Sequence, residues 1–118
     1  ALISTSTVGY DWSALTPATG WQNTGGSNAT LGVKRFGDMV SLKGMVSANT
    51  SLSSGSTVYT LASEYRPSTT RVFNCRAYIG STVTTVQVNL QSDGKIRPQS
   101  AFSSGDWVSL EIFYFVGG

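Results

Sequence analysis

Asn74, Arg76 and Tyr78 stand at alternate positions of one run of the chain, and Thr85 and Gln87 stand at alternate positions of the next. Residues two apart in an extended chain project from one face, so the two sets are placed to present a ring, a guanidinium, two amides and a hydroxyl together. Such a set suits recognition more than reaction. A tyrosine ring stacks on the C–H face of a sugar, amides and hydroxyls bond its ring hydroxyls, and a guanidinium forks onto phosphate. Arg76 therefore admits a glycerol-phosphate or phosphopolysaccharide as well as a neutral sugar. A plain solvated sheet face has the same composition, and that reading stands beside the first.

Trp12, in a polar segment, is a further stacking candidate, with packing as its alternative. Trp21 and Trp107 lie among apolar neighbours and are read as core or interface residues. The carboxylates fall into separate settings: Asp38 and Asp93 in turns, Asp11 and Asp106 in loops, Glu64 at a strand exit and Glu111 in the last strand. Glycoside hydrolysis needs two carboxylates held across a cleft about 5 to 9 Å apart, and no spacing here fixes such a pair, so no catalytic residue is expected. Histidine is absent, which removes His-based triads, Cys/His zinc sites and switching near neutral pH. Cys75 is the single cysteine. It has no intrachain disulfide partner, and its alternation points inward, as for a buried inert thiol. The N-glycosylation patterns at Asn28 and Asn49 read as loop sequence in a Ser/Thr-rich chain.

The elements that position these residues are strands. No helix-length segment has apolar residues at i, i+3, i+4 and i+7, whereas period-two runs broken by Gly, Ser, Asp and Pro recur from about residue 30 onward. Gly37-Asp38 joins residues 31–36 to 39–46 as a hairpin. Counting from the turn sets Val33 opposite Leu42 and Arg35 opposite Val40. Leu31, Val33, Val40, Leu42 and Val46 then share a buried face; Phe36, Met39 and Met45 lie opposite with Lys34 and Lys43.

Gly80-Ser81 joins residues 71–79 to 82–90 in a second hairpin. Phe73 pairs with Val88, Cys75 with Val86 and Ala77 with Thr84 on an apolar face, while Asn74 pairs with Gln87, Arg76 with Thr85 and Tyr78 with Val83 on the reverse. The run 107–116 reads as one final strand, apolar on both sides. Val108, Leu110, Ile112 and Tyr114 take one side, and Trp107, Phe113 and Phe115 the other, as in a central strand or one covered by a neighbouring subunit.

The 118 residues suffice for one domain. Charged residues are 12% of the chain, about half the usual share, so Ser, Thr, Asn and Gln must keep the surface wet. The net charge of +2 is spread without a Lys/Arg run, so a nucleic-acid footprint is missing. No apolar stretch is long enough to span a bilayer. The fold expected is all-β, an antiparallel sandwich or barrel, with residues 1–28 an extended lead-in and residues 29–118 the folded domain.

In order along the chain stand Gly20-Trp21-Gln22-Asn23, Gly37-Asp38-Met39-Val40-Ser41-Leu42-Lys43-Gly44, Tyr65-Arg66-Pro67-Ser68, Ser92-Asp93-Gly94-Lys95-Ile96 and Gly105-Asp106-Trp107-Val108-Ser109-Leu110. This series resembles the C-terminal head domains of phage tail fibre and baseplate receptor-binding proteins. The resemblance implies a jelly-roll-like head that forms a homotrimer at the distal tail of a virion and binds host cell-surface saccharides or teichoic-acid-like polymers. It implies no cofactor, an upstream fibre shaft, and contacts with other tail or baseplate proteins on the N-terminal side. The alternative within the same family is a structural trimerisation cap that leaves receptor recognition to another protein. A small depolymerase is a third reading.

Overall fold

A computed structural model describes residues 12–117 of the chain. Their period-two alternation becomes strands β1 (Ser13–Ala14), β2 (Trp21–Asn23), β3 (Gly32–Phe36), β4 (Met39–Lys43), β5 (Met45–Ala48), β6 (Tyr59–Thr60), β7 (Arg71–Ile79), β8 (Thr82–Leu90), β9 (Lys95–Pro98), β10 (Trp107–Ser109) and β11 (Ile112–Phe115). A single 3-10 turn, Ser63–Tyr65, is the one helical element among them. All strand pairs are antiparallel, and they form a larger sheet in the order β2-β5-β10-β7-β8-β9-β6 and a smaller one in the order β11-β4-β3-β1.

Both sheets close on one core. Val33, Val40, Leu42, Ile112 and Tyr114 enter it from the smaller sheet, and Val46, Cys75, Ala77, Val86, Val88, Leu90, Ile96 and Val108 from the larger. Burial of a Leu or Val side chain contributes about 1.5–3 kcal/mol, so these alternate positions supply the main drive for folding. At one end of the core Trp21 meets Phe102 edge to face, ring centroids 5.0 Å apart.

Both hairpin registers match the count from their turns: Val33 lies opposite Leu42 and Arg35 opposite Val40, and the β7–β8 ladder runs from Ile79↔Thr82 to Arg71↔Leu90. Gly80 and Ser81 both have positive φ, 58° and 67°. A two-residue turn of the primed type requires this, and its twist matches that of the strands it joins.

Two expected strands are each divided. The return strand of the first hairpin, read as continuous over residues 39–46, ends in the smaller sheet at Lys43 and resumes in the larger at Met45. Gly44 makes the crossing at φ 127°, with Leu31 so close that a Cβ on Gly44 would stand 2.5 Å from the Leu31 Cα. Met45 consequently lies beside Ser109 in the larger sheet, away from Phe36 and Met39, which pair with each other in the smaller one.

The run 107–116 is divided in the same way, with β10 inside the larger sheet and β11 at an edge of the smaller. Val108, Leu110, Ile112 and Tyr114 are all buried as expected, whereas Phe113 and Phe115 are 66% and 57% exposed. Leu110 and Glu111 form the crossing. The Leu110 N–H donates to the Gly44 carbonyl at 2.7 Å, and the Gly44 N–H donates to Glu111 Oε2 at 2.8 Å.

Within the stretch expected as a lead-in, β1 pairs with β3 and β2 pairs with β5, and Trp21 is buried. Residues 1–11, with Tyr10 and Asp11, lie outside the described residues.

Candidate functional site

Because the inner side chains of β7 and β8 are fixed by the core, their alternates stand on the outer face of the larger sheet. Arg76 lies opposite Thr85, and Asn74 opposite Gln87. Tyr78 lies opposite Val83 on one side and Trp107 of β10 on the other. Through Trp107, Ser47 and Gln22 the same row continues across five strands. The Tyr78 and Trp107 rings are stacked, 6.0 Å between centroids and 11° between planes.

These pairings bring five of the six expected residues onto one surface. Asn74, Arg76, Thr85 and Gln87 are exposed and Tyr78 is half-buried. The Arg76 guanidinium makes no hydrogen bond or ion pair among the described residues, while the Gln87 amide donates to Asn89 Oδ1 at 3.0 Å. The surface thus offers an aromatic plane, an available guanidinium and neutral donors and acceptors side by side.

Trp107 belongs to this surface although its sequence context reads as packing. Its phase was the signal, since it is out of step with the buried Val108 and Leu110. Trp12 lies elsewhere. It sits with Lys34 and Lys43 on the outside of the smaller sheet, their ammonium groups 4.8 and 5.4 Å from its ring, a cation–π arrangement that occupies the ring.

The described carboxylates serve the backbone or the surface. Asp106 is buried and accepts from the Ser103 N–H at 2.9 Å, Asp93 accepts from the Lys95 N–H at 3.2 Å, and Glu111 holds Gly44. Asp38 stands 3.8 Å from the Arg35 guanidinium in its exposed turn. Among the described residues no three His, Cys, Asp or Glu side chains gather as metal ligands would. Burial pushes the Cys75 thiol up to about 11, away from the thiolate that a nucleophile or metal ligand needs.

Other conspicuous motif residues brace the frame. Tyr114 donates its hydroxyl to the Tyr65 carbonyl at 2.6 Å, and Arg66 Nε donates to the Leu61 carbonyl at 2.8 Å. Arg71 holds the carbonyls of Phe115 and Gly117, both at 3.1 Å.

Two antiparallel sheets around one core, crossed by two strands and bearing a polar hairpin face, define the fold. It is shared with phage receptor-binding head domains. The head domain of lactococcal phage bIL170 superposes with a TM-score of 0.64 at 12% identity, over 90% of this chain and 97% of that one. The receptor-binding protein gp15 of Listeria phage PSA gives 0.66 at 18% identity over 88% of this chain, which spans 63% of that protein. No family model and no curated protein matches the sequence significantly.

Proposed function

We propose that this chain is the receptor-binding domain of a phage tail protein, adhering to saccharide or phosphopolysaccharide on the host surface through the outer face of β7 and β8. The stacked Tyr78–Trp107 pair with Arg76 beside it is the observation that carries this reading. A ring pair gives a planar seat for a sugar, and the guanidinium provides a fork for phosphate in a teichoic-acid-like polymer. The structural likeness to two phage receptor-binding proteins supports adhesion over catalysis. The carboxylates at work in the frame support it too.

The domain works as a homotrimer on the distal tail of the virion, joined to other tail or baseplate proteins on its N-terminal side. Exposed Phe113 and Phe115 suit burial between subunits. Three weak sites acting on one cell surface bind far more tightly than one. No cofactor takes part.

Labelled domain added to lactococcal and Listeria cells tests the proposal, with cytometry as the readout. Binding that falls with Arg76→Ala and Tyr78→Ala is expected. Binding equal to wild type in both variants overturns the face. The exposed Phe113 and Phe115 also favour the cap reading, which holds if trimeric domain binds no host cells and does not block infection.

A further inference from the structure

A second surface lies just past the edge of that face. β8 pairs with β9 only as far as Val88↔Pro98, followed by the Gln99 N–H donating to the Gln87 carbonyl at 2.7 Å. The remainder of β8, residues 82–86, continues beside β7 alone. The Gln87 carbonyl points toward β9, and backbone direction alternates along a strand, so Thr85 and Val83 direct their N–H and C=O groups to the open side.

Thr82 and Thr84 occupy the inward phase of β8, in step with the buried Val86, Val88 and Leu90, yet both are exposed. The inner side of β8 is polar there, while Ala77 and Ile79 opposite these threonines still belong to or pack against the core. Between this stretch of β8 and Gln99–Ser100 lies a concavity of about 390 Å³, to which Thr82, Thr84, Thr85, Gln87, Gln99 and Ser100 contribute. Its apolar floor comes from Ile79 and Val86. The volume falls in the range of about 300–1,000 Å³ found for small-molecule sites.

From this arrangement we infer that the concavity is a seat for one neutral sugar residue of the receptor polymer, continuous with the Arg76–Tyr78 face through Thr85 and Gln87. The inference rests on the receptor-binding reading and adds a ligand class and a place to it. Every lining side chain is uncharged, so an anionic group gains no partner there. Hydroxyl and amide groups both donate and accept, as ring hydroxyls do, and the aliphatic floor suits ring C–H groups. Only two residues direct free backbone groups outward, a short edge for the addition of a peptide strand.

Titration of 15N-labelled domain, followed by amide shifts, reads this directly. The probes are glucose, galactose, rhamnose and N-acetylglucosamine, with glycerol 1-phosphate as the charged arm. At least one neutral sugar is expected to shift the amides of Thr84, Thr85 and Gln99. Thr84→Val, which keeps the shape and removes the hydroxyl, is expected to weaken that sugar about fivefold, the effect of one hydrogen bond. Ser100→Tyr fills the cavity and abolishes the shifts while spectral dispersion stays native.

Neutral-sugar shifts confined to Asn74, Arg76 and Tyr78 overturn the seat and leave the receptor-binding reading standing. Larger shifts at the cavity from glycerol 1-phosphate than from any sugar overturn the neutral specificity. If no sugar moves any amide, the seat is overturned, and wild-type adhesion to whole cells then separates its failure from that of receptor binding itself.

Discussion

Glu111 accepts a hydrogen bond from the Gly44 N–H at 2.8 Å, and the two residues mark the points where two strands leave one sheet for the other. With the reciprocal bond from Leu110 to the Gly44 carbonyl, they join the crossings into one stitch. The chain passes between the sheets at both points, so they are linked covalently as well as by side-chain packing.

Gly44→Ala is expected to destabilise the domain by about 3 kcal/mol or more, since the added carbon meets Leu31 backbone at 2.5 Å and the residue sits at φ 127°. Urea denaturation monitored by tryptophan fluorescence measures it. A midpoint within error of wild type refutes the close approach of Leu31 to Gly44.

Glu111 acts as a hydrogen-bond acceptor, and a neutral acceptor serves nearly as well. Glu111→Gln is therefore expected to cost little, and Glu111→Ala about 1 kcal/mol. Equal losses from the two would show that the side-chain acceptor is not what matters.

High pH should weaken the fold before it breaks it. Burial raises the Cys75 thiol from 9.0 to about 11 and raises the Tyr114 hydroxyl as well. In each case the neutral form favours the folded state. The sign follows: stability is complete well below pH 9, where neither group ionises even when unfolded, and falls as pH climbs through 9 toward 11. Tyr114 adds to the loss above pH 10. Thermal midpoints across pH 8–11 should decline, and less steeply in Cys75→Ala.

Arg76→Lys separates two kinds of receptor. A lysine retains charge and loses the planar fork, so binding to a phosphate-bearing polymer should fall about tenfold, while a neutral-sugar receptor should feel little. Cell-binding isotherms at two salt concentrations read the difference, because only the phosphate contact is screened.

If wild type is the proposed trimer, replacing Phe113 and Phe115 together with lysine should leave a folded monomer. Both rings are already more than half exposed, so little core packing is lost. Light scattering that still shows a trimer would place the subunit contact on another face.

Turn chemistry made much of this fold legible. Two-residue turns at Gly37-Asp38 and Gly80-Ser81 fix their registers by counting, and with them which residues of β7 and β8 face outward. The crossings were hidden for a physical reason. A strand that passes from one sheet of a sandwich to the other buries its inward residues in the same core, so Val108, Leu110, Ile112 and Tyr114 alternate without interruption through the break. Gly44 interrupts the inward alternation of one run, whereas Glu111 stands in the outward phase of the other, as polar Ser109 does. Trp107 escaped because apolar neighbours in sequence suggested burial, whereas phase put it beside Tyr78. The cavity depends on where β9 stops pairing with β8, which no local pattern encodes.

Asn74, Arg76 and Thr85 stand on a hairpin whose register is held from the other side, by Cys75, Ala77 and Val86 in the core. Substitutions at these outer positions leave the fold's foundations untouched. If these positions bind a receptor as proposed, a lineage carrying this domain could revise what it adheres to one residue at a time on an unchanged core, and the same scaffold could follow a host that alters its coat.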